Sequence, residues 1–357
     1  MQVNPAARWT VLIYTSASKD LEQAVEDSLQ EITNHPVAGD QVHIVAQRGR
    51  ASQAQRFQLH GSDKPLPLGQ PQEVDMTASQ SLQDFLQWGM EAYPAQRYVV
   101  VLGGHAAGFA GAVTNSQRSK MLSLPEIEKA LGGLPARPEI LVFNTCLMAQ
   151  AEAAEQFSEK ASYLVASQSQ LRGLGLPLAP WFHDLATVDT SQEAASRLVE
   201  HSREVPERSP AVSAINLQEW PELRERVDAL AQEVPRYPQH RQRLLDHIQN
   251  QRHLWPRDSD RPLVDQIDIG TLLSHWSQDE TLPETLRQAA SHVVEGLPSL
   301  MLANSSSSRE EAGLSIYAPD EPFEHLGPPQ RKVGQIYREL RWSDSTHWDE
   351  AIRWLSS

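Results

Sequence analysis

The chain has 357 residues, 40% hydrophobic and 22% charged, which is the composition of a globular protein and the length of one large domain or two. A formal net charge of -15 argues against a nucleic-acid partner, whose phosphates are met by basic patches. One cysteine excludes an internal disulfide framework, and no apolar stretch approaches membrane-spanning length, so no membrane partner is expected. The acidity is compatible with basic peptide substrates, and it is also a plain solubility feature. The opening M-Q-V-N-P-A-A-R-W-T has neither the basic segment nor the apolar run of a signal peptide. With a lone thiol that a reducing compartment would keep active, the expectation is a cytoplasmic protein.

Residues 11–14 (V-L-I-Y) read as the first strand. Over 20–32, Leu21, Ala24, Val25, Leu29 and Ile32 recur at helical spacing and predict an amphipathic helix. Residues 41–46 read as the next strand, and the less apolar 56–60 as an edge strand. The Pro- and Gly-rich segment 61–72 is expected to be a surface loop. A helix over 79–93 turns Leu82, Phe85, Leu86 and Met90 inward, and 98–102 (Y-V-V-V-L) is a further strand. A short helix over 124–131 has Pro125 near its start. Residues 140–143 (I-L-V-F) form a buried strand, and 147–157 (L-M-A-Q-A-E-A-A-E-Q-F) is rich in helix formers. A strand over 163–167, helices from 181 and over 191–204, and a strand over 213–217 follow. Residues 220–255 read as two helices broken at Pro235 and Pro238. Their His240, His247 and His253 do not match a compact metal motif, so a solvated helix face is expected. The acids of 264–270 (V-D-Q-I-D-I-G) are expected to cap the next helix. A helix over 282–297 comes next. Then 299–303 and 314–317 read as a pair of strands joined by a polar turn, and helices over 332–342 and 345–355 close the chain. Strands alternating with helices imply a mostly parallel sheet covered on both faces.

Cys146 falls between the strand 140–143 and the helix predicted from 147. Open α/β sheets bind ligands at that edge, and the positive end of a helix lowers a thiol pKa. A free cysteine is more often a buried small hydrophobe. The strand 98–102, however, runs into G-G-H-A-A-G, so His105 also lies just past a strand's C-terminal end. Neighbouring parallel strands would bring both to one rim, where the histidine can take the thiol proton and later protonate a leaving amine. The glycines let a substrate approach the backbone closely.

In these elements the chain resembles the clostripain-type cysteine peptidases, relatives of caspases, legumains and gingipains. The matching positions are His105-Ala106-Ala107-Gly108 and Asn144-Thr145-Cys146-Leu147-Met148. The likeness begins at Trp9–Tyr14 with Lys19-Asp20-Leu21-Glu22, continues through Tyr163–Ser167 and reaches Gly313–Tyr317. It implies an α/β fold, a caspase-like α/β/α sandwich with a mostly parallel central sheet and a helical C-terminal extension. Residues 1–205 would be the catalytic core, and 206–357 a part with helices and further strands packed on it. The implied activity is a cysteine endopeptidase with Cys146 and His105 as its dyad, cutting after Arg or Lys. Backbone N–H groups of Gly104, Ala106 and Cys146 would hold the oxyanion. Asn144, Ser167, Gln168 and Asp184 would line the substrate pocket. Cleavage after Arg118 or Lys120, between histidine and cysteine, would activate the enzyme, although an ordinary solvated loop stays open there. Partners would be a peptide or protein substrate and an activating protease or inhibitor protein. No cofactor is certain; calcium enters because some relatives need it, but no EF-hand loop is present.

Two departures stand out. Ala106 replaces the usual Gly, which requires a φ that suits a Cβ. Asn144 replaces the usual Asp, which removes the charge that would attract Arg or Lys. A catalytically silent relative that binds peptides or a partner, and a different thiol enzyme on a flavodoxin-like sheet, such as an amidase, are the rival readings.

Overall fold

The computed structural model describes residues 7–35, 37, 40–60, 63–115, 120–252, 265–306, 308, 311–319 and 333–357. The strands are β1 (Ala7–Ala17), β2 (Val42–Arg50), β3 (Gln53–Gln58), β4 (Leu66–Pro67), β5 (Gln72–Glu73), β6 (Ala95–Gly103) and β7 (Ala112–Thr114). They continue with β8 (Met121–Leu122), β9 (Ile140–Asn144), β10 (Tyr163–Ser167), β11 (Val212–Asn216), β12 (Gln266–Asp268), β13 (Met301–Asn304) and β14 (Ser315–Tyr317). The helices are α1 (Glu22–Asn34), α2 (Ser79–Ala92), α3 (Leu124–Gly132), α4 (Ala151–Phe157), α5 (Leu178–Leu185), α6 (Ser191–Glu204) and α7 (Trp220–Glu233). Then come α8 (Arg241–Arg252), α9 (Ile269–Gln278), α10 (Glu284–Leu300), α11 (Val333–Arg338), α12 (Arg341–Ser345) and α13 (Trp348–Ser356).

The main sheet has the order β13-β11-β10-β9-β6-β1-β2-β3-β4, with β5 also on β3. From β10 to β2 every pairing is parallel, and both ends are antiparallel. The central strands are apolar on both faces, as parallel strands between helical layers must be. Leu12, Val100, Leu102, Leu141 and Phe143 face α2, α3, α4 and the C-terminal helices. Val11, Ile13, Val99, Val101 and Val142 face α1, α5 and α6. The alternation is that of a pleated strand, and the result is a three-layer α/β/α sandwich.

Local chemistry explains the helix starts. Ser123 and Glu126 form a capping box at α3, with Pro125 in its first turn. Asp268, one of the acids expected to cap, accepts the Thr271 N–H at 2.8 Å and starts α9. Short 3-10 turns at Pro235 and Pro238 separate α7 from α8.

Two expectations are corrected. The strands near 301 and 315 do not pair with each other: β13 joins β11 on the main sheet, and β14 pairs with β12. The helix expected from 147 begins at Ala151. Leu147 has a φ of 62°, and its N–H donates to Ser169 O at 3.2 Å. Ala149 donates to Ser167 O at 3.0 Å and accepts from Ser315 N–H at 2.8 Å. These non-local hydrogen bonds hold 147–150 in a non-helical turn against the local helix propensity. Cys146 therefore has no helix starting directly after it, and the dipole argument for its thiol lapses.

Candidate active site

β6 and β9 pair in parallel with Gly103 opposite Asn144. His105 and Cys146 each lie two residues beyond that pair, at the same rim of the sheet. Both line one cavity of about 180 Å³. Gly104 makes this turn possible: its φ is 125°, and a Cβ there would lie 2.6 Å from Ser16 O. A residue with a side chain would be both strained and in collision with the end of β1. Ala106 meets no such demand, because the non-glycine positions of positive φ among the described residues are Ala51, Val113 and Leu147. The His105 carbonyl accepts the Val113 N–H at 2.9 Å, which fastens the turn to β7.

His105 is held by an acid that follows β1. Its Nε2 lies 3.1 Å from Asp20 Oδ2, and Ser18 Oγ donates to Asp20 Oδ1 at 2.5 Å. Burial opposes the Asp20 charge, but the hydrogen bonds from Ser18 and His105 outweigh it and hold the carboxyl below its usual range. An ionised carboxylate on one ring nitrogen fixes the tautomer and orientation of an imidazole and favours its protonated form. Asp20 was missed as a site residue in the sequence. The legible signal was an acid a few positions past a strand whose Thr15 pairs with Gly103 at the same rim.

Cys146 is half-buried, with Sγ 4.0 Å from Leu171 O. Asn144 lines the cavity, and its Oδ1 accepts the Leu176 N–H at 2.8 Å. Gly175, at φ 74°, passes so close that a Cβ would run into Asn144 Oδ1. The side chain thus anchors the wall 170–176.

Three expected pocket residues stand elsewhere. Ser167 is buried and bonds Ala211 O at 3.2 Å. Gln168 is buried and donates to Asp268 Oδ2 at 3.0 Å and Ser315 Oγ at 3.1 Å. Asp184 Oδ2 lies 2.9 Å from His201 Nε2, away from the cavity. The wall is formed instead by Gln170, Leu171 and Gly173 to Gly175. Lys120 closes the β7–β8 loop, accepting the Asn115 N–H at 3.0 Å, with Nζ 3.2 Å from Asp75 Oδ2. Arg118 lies outside the described residues, as does His253. Among the described residues no three His, Cys, Asp or Glu side chains converge as metal ligands. Among them, too, no helix is long and apolar enough to cross a membrane.

The family model described as the clostripain family matches residues 13–354. No curated protein matches. Among solved structures, a secreted C11 cysteine protease from Bacteroides thetaiotaomicron, in complex with an irreversible peptide inhibitor, is similar with a TM-score of 0.72. It is 16% identical, with 96% of this chain and 99% of that chain covered. An inactive zymogen C11 protease from Parabacteroides distasonis gives 0.71, also at 16% identity, with the same shares of 96% and 99%. At that identity the likeness shows the fold, the caspase-like α/β sandwich. The description of the first as secreted lends nothing to a cytoplasmic setting for this chain.

Proposed function

Because the chain belongs to the clostripain family of cysteine peptidases, we propose that it hydrolyses peptide bonds with Cys146 as nucleophile and His105 as base and then acid. The observation that carries the proposal is the shared offset of the two residues past Gly103 and Asn144, on one cavity. His105 takes the Cys146 proton, and Sγ attacks the scissile carbonyl carbon. The tetrahedral intermediate collapses as His105 gives the proton to the leaving amine, leaving a thioester. Water, deprotonated by His105, hydrolyses the thioester and restores the thiol. With Nε2 facing Asp20, Nδ1 is the ring atom assigned to these transfers. Of the nearby amides, Leu147 N–H is engaged by Ser169 O and Ala107 N–H by Gly111 O. Following the resemblance, the oxyanion is assigned to the N–H groups of Gly104, Ala106 and Cys146.

A preference for Arg or Lys would need a carboxylate in the cavity. Asn144 is neutral and tied to Leu176, and Asp184 faces His201. The resemblance alone supports that preference. For activation, the proposal is cleavage after Arg118 or Lys120, by a second protease or by the enzyme itself. Lys120 is half exposed at the base of its loop, which suits access by a protease.

The test compares wild type with Cys146→Ala on a panel of fluorogenic peptides and on a denaturing gel. Turnover confined to wild type is the expected result, and a gel split after Arg118 or Lys120 in wild type alone would assign the cleavage to the enzyme itself. Turnover that persists in Cys146→Ala would contradict the dyad. Silence from wild type after the loop has been cut in trans would favour the peptide-binding alternative.

A further inference from the structure

We infer that the cavity beside Cys146 selects an apolar side chain, of the size of Leu, Met or Phe, on the residue just before the scissile bond; this rests on the peptidase reading above. The acyl carbon of a substrate must sit on Sγ. The side chain of the residue that supplies it is therefore the one nearest the cavity that Cys146 and His105 share.

Aliphatic side chains form much of that cavity's lining. Leu21, Val25, Leu29 and Ile32 of the α1 region and Leu171 and Leu174 of the wall line it, beside the neutral polar Thr15, Ser28, Asn144, Thr145 and Gln170. Among the described residues that line it there is no Asp, Glu, Lys or Arg. Its volume of about 180 Å³ is near the ~150 Å³ of an apolar protein cavity that holds benzene. Two carboxylates tied to residues around it are already paired. Asp20 faces His105 and Ser18. Glu31 pairs with Arg208 at 3.3 Å, and Arg208 Nε donates to Gly175 O at 3.2 Å on the back of the wall. An incoming Lys or Arg would find an arginine behind the wall and, in Asp20, a carboxylate already paired with His105. A buried cation without a partner is strongly disfavoured, whereas an apolar side chain gains from leaving water. Asn144, where a carboxylate would have selected a cation, fastens Leu176 instead.

The experiment uses the full chain, intact and nicked in the 115–120 loop. Peptides that differ only in the residue before the scissile bond (Leu, Met, Phe, Arg, Lys) are compared by kcat/KM. Matched Leu and Lys chloromethyl ketones are compared by intact mass. The expected result is a preference of at least about tenfold for Leu, Met or Phe over Arg and Lys, with faster labelling by the Leu probe. Leu174→Asp is expected to narrow that ratio toward Lys. A preference of wild type for Arg or Lys, with turnover lost in Cys146→Ala, would overturn this inference and leave the peptidase standing. Neither turnover nor labelling, from intact and nicked chain alike, would overturn both.

Discussion

Asp20 and Gly104 show how much of this site depends on single positions outside the reacting pair. The Asp20 carboxylate holds His105 Nε2 at 3.1 Å and is itself held by Ser18. Asp20→Asn preserves shape and removes charge, which turns a charge-assisted hydrogen bond into a neutral one at a cost of about 1.4 kcal/mol. The expected outcome is a roughly tenfold fall in kcat with KM unchanged, read by steady-state kinetics, with Asp20→Glu restoring part of it. An unchanged kcat would remove Asp20 from the account. Gly104→Ala forces a Cβ to within 2.6 Å of Ser16 O at a φ of 125°. It should cost about 1–3 kcal/mol in urea denaturation and displace His105, lowering kcat as well. His105 and Cys146 were legible in the sequence because each follows an apolar run that ends at the sheet's C-terminal rim. Asp20 was visible only as part of a motif, because its meeting with His105 depends on the β1–β6 register, which local pattern does not carry.

At the scale of elements, the segments around the cysteine are shaped by distant partners. Residues 147–150 read as helix by propensity, yet hydrogen bonds to Ser167, Ser169 and Ser315 hold them out of it. The wall 170–176 is likewise pinned by Asn144, and this moves the cavity lining from Ser167 and Gln168 to Leu171 and Leu174. No periodicity announces either event, since both depend on contacts across the sheet edge. Asn144→Ala leaves the Leu176 N–H without its acceptor and loosens the wall, at a cost of about 1–3 kcal/mol. Michaelis kinetics should show KM raised several-fold with kcat changed less. Asn144→Asp, which still accepts that hydrogen bond, should keep KM for apolar peptides closer to wild type. Equal KM for wild type and Asn144→Ala would deny the anchoring role.

Over the whole molecule, the part after residue 205 is stitched into the sheet and the core. β11 and β13 extend the sheet beyond β10, and α4 presents buried carboxylates to the C-terminal helices. Glu152 is fully buried and accepts from Tyr337 Oη at 2.7 Å and Tyr317 N–H at 3.0 Å. Glu155 accepts from Trp220 Nε1 at 2.5 Å. The alternation of strands and helices was legible from apolar runs and amphipathic spacing. These joins were not, because a glutamate in a helix reads as a solvated face until its partners are known. Burial raises the Glu152 pKa above 4.5 despite its hydrogen bonds. The folded state then binds more protons than the unfolded state. The stability from this group is full below pH 4.5 and is lost as pH rises through the raised value. Glu152→Gln lacks that slope, so its urea midpoint should gain on wild type between pH 5 and pH 8. A difference that stays constant with pH would contradict the buried, proton-retaining carboxyl.

The most direct test of the nucleophile is the intact mass of the chain after incubation with an apolar peptidyl chloromethyl ketone, the 115–120 loop having been cut. The account expects one addition on wild type, none on Cys146→Ala, and slowed addition on His105→Ala. Labelling that persists in Cys146→Ala, or a rate indifferent to His105, would contradict it.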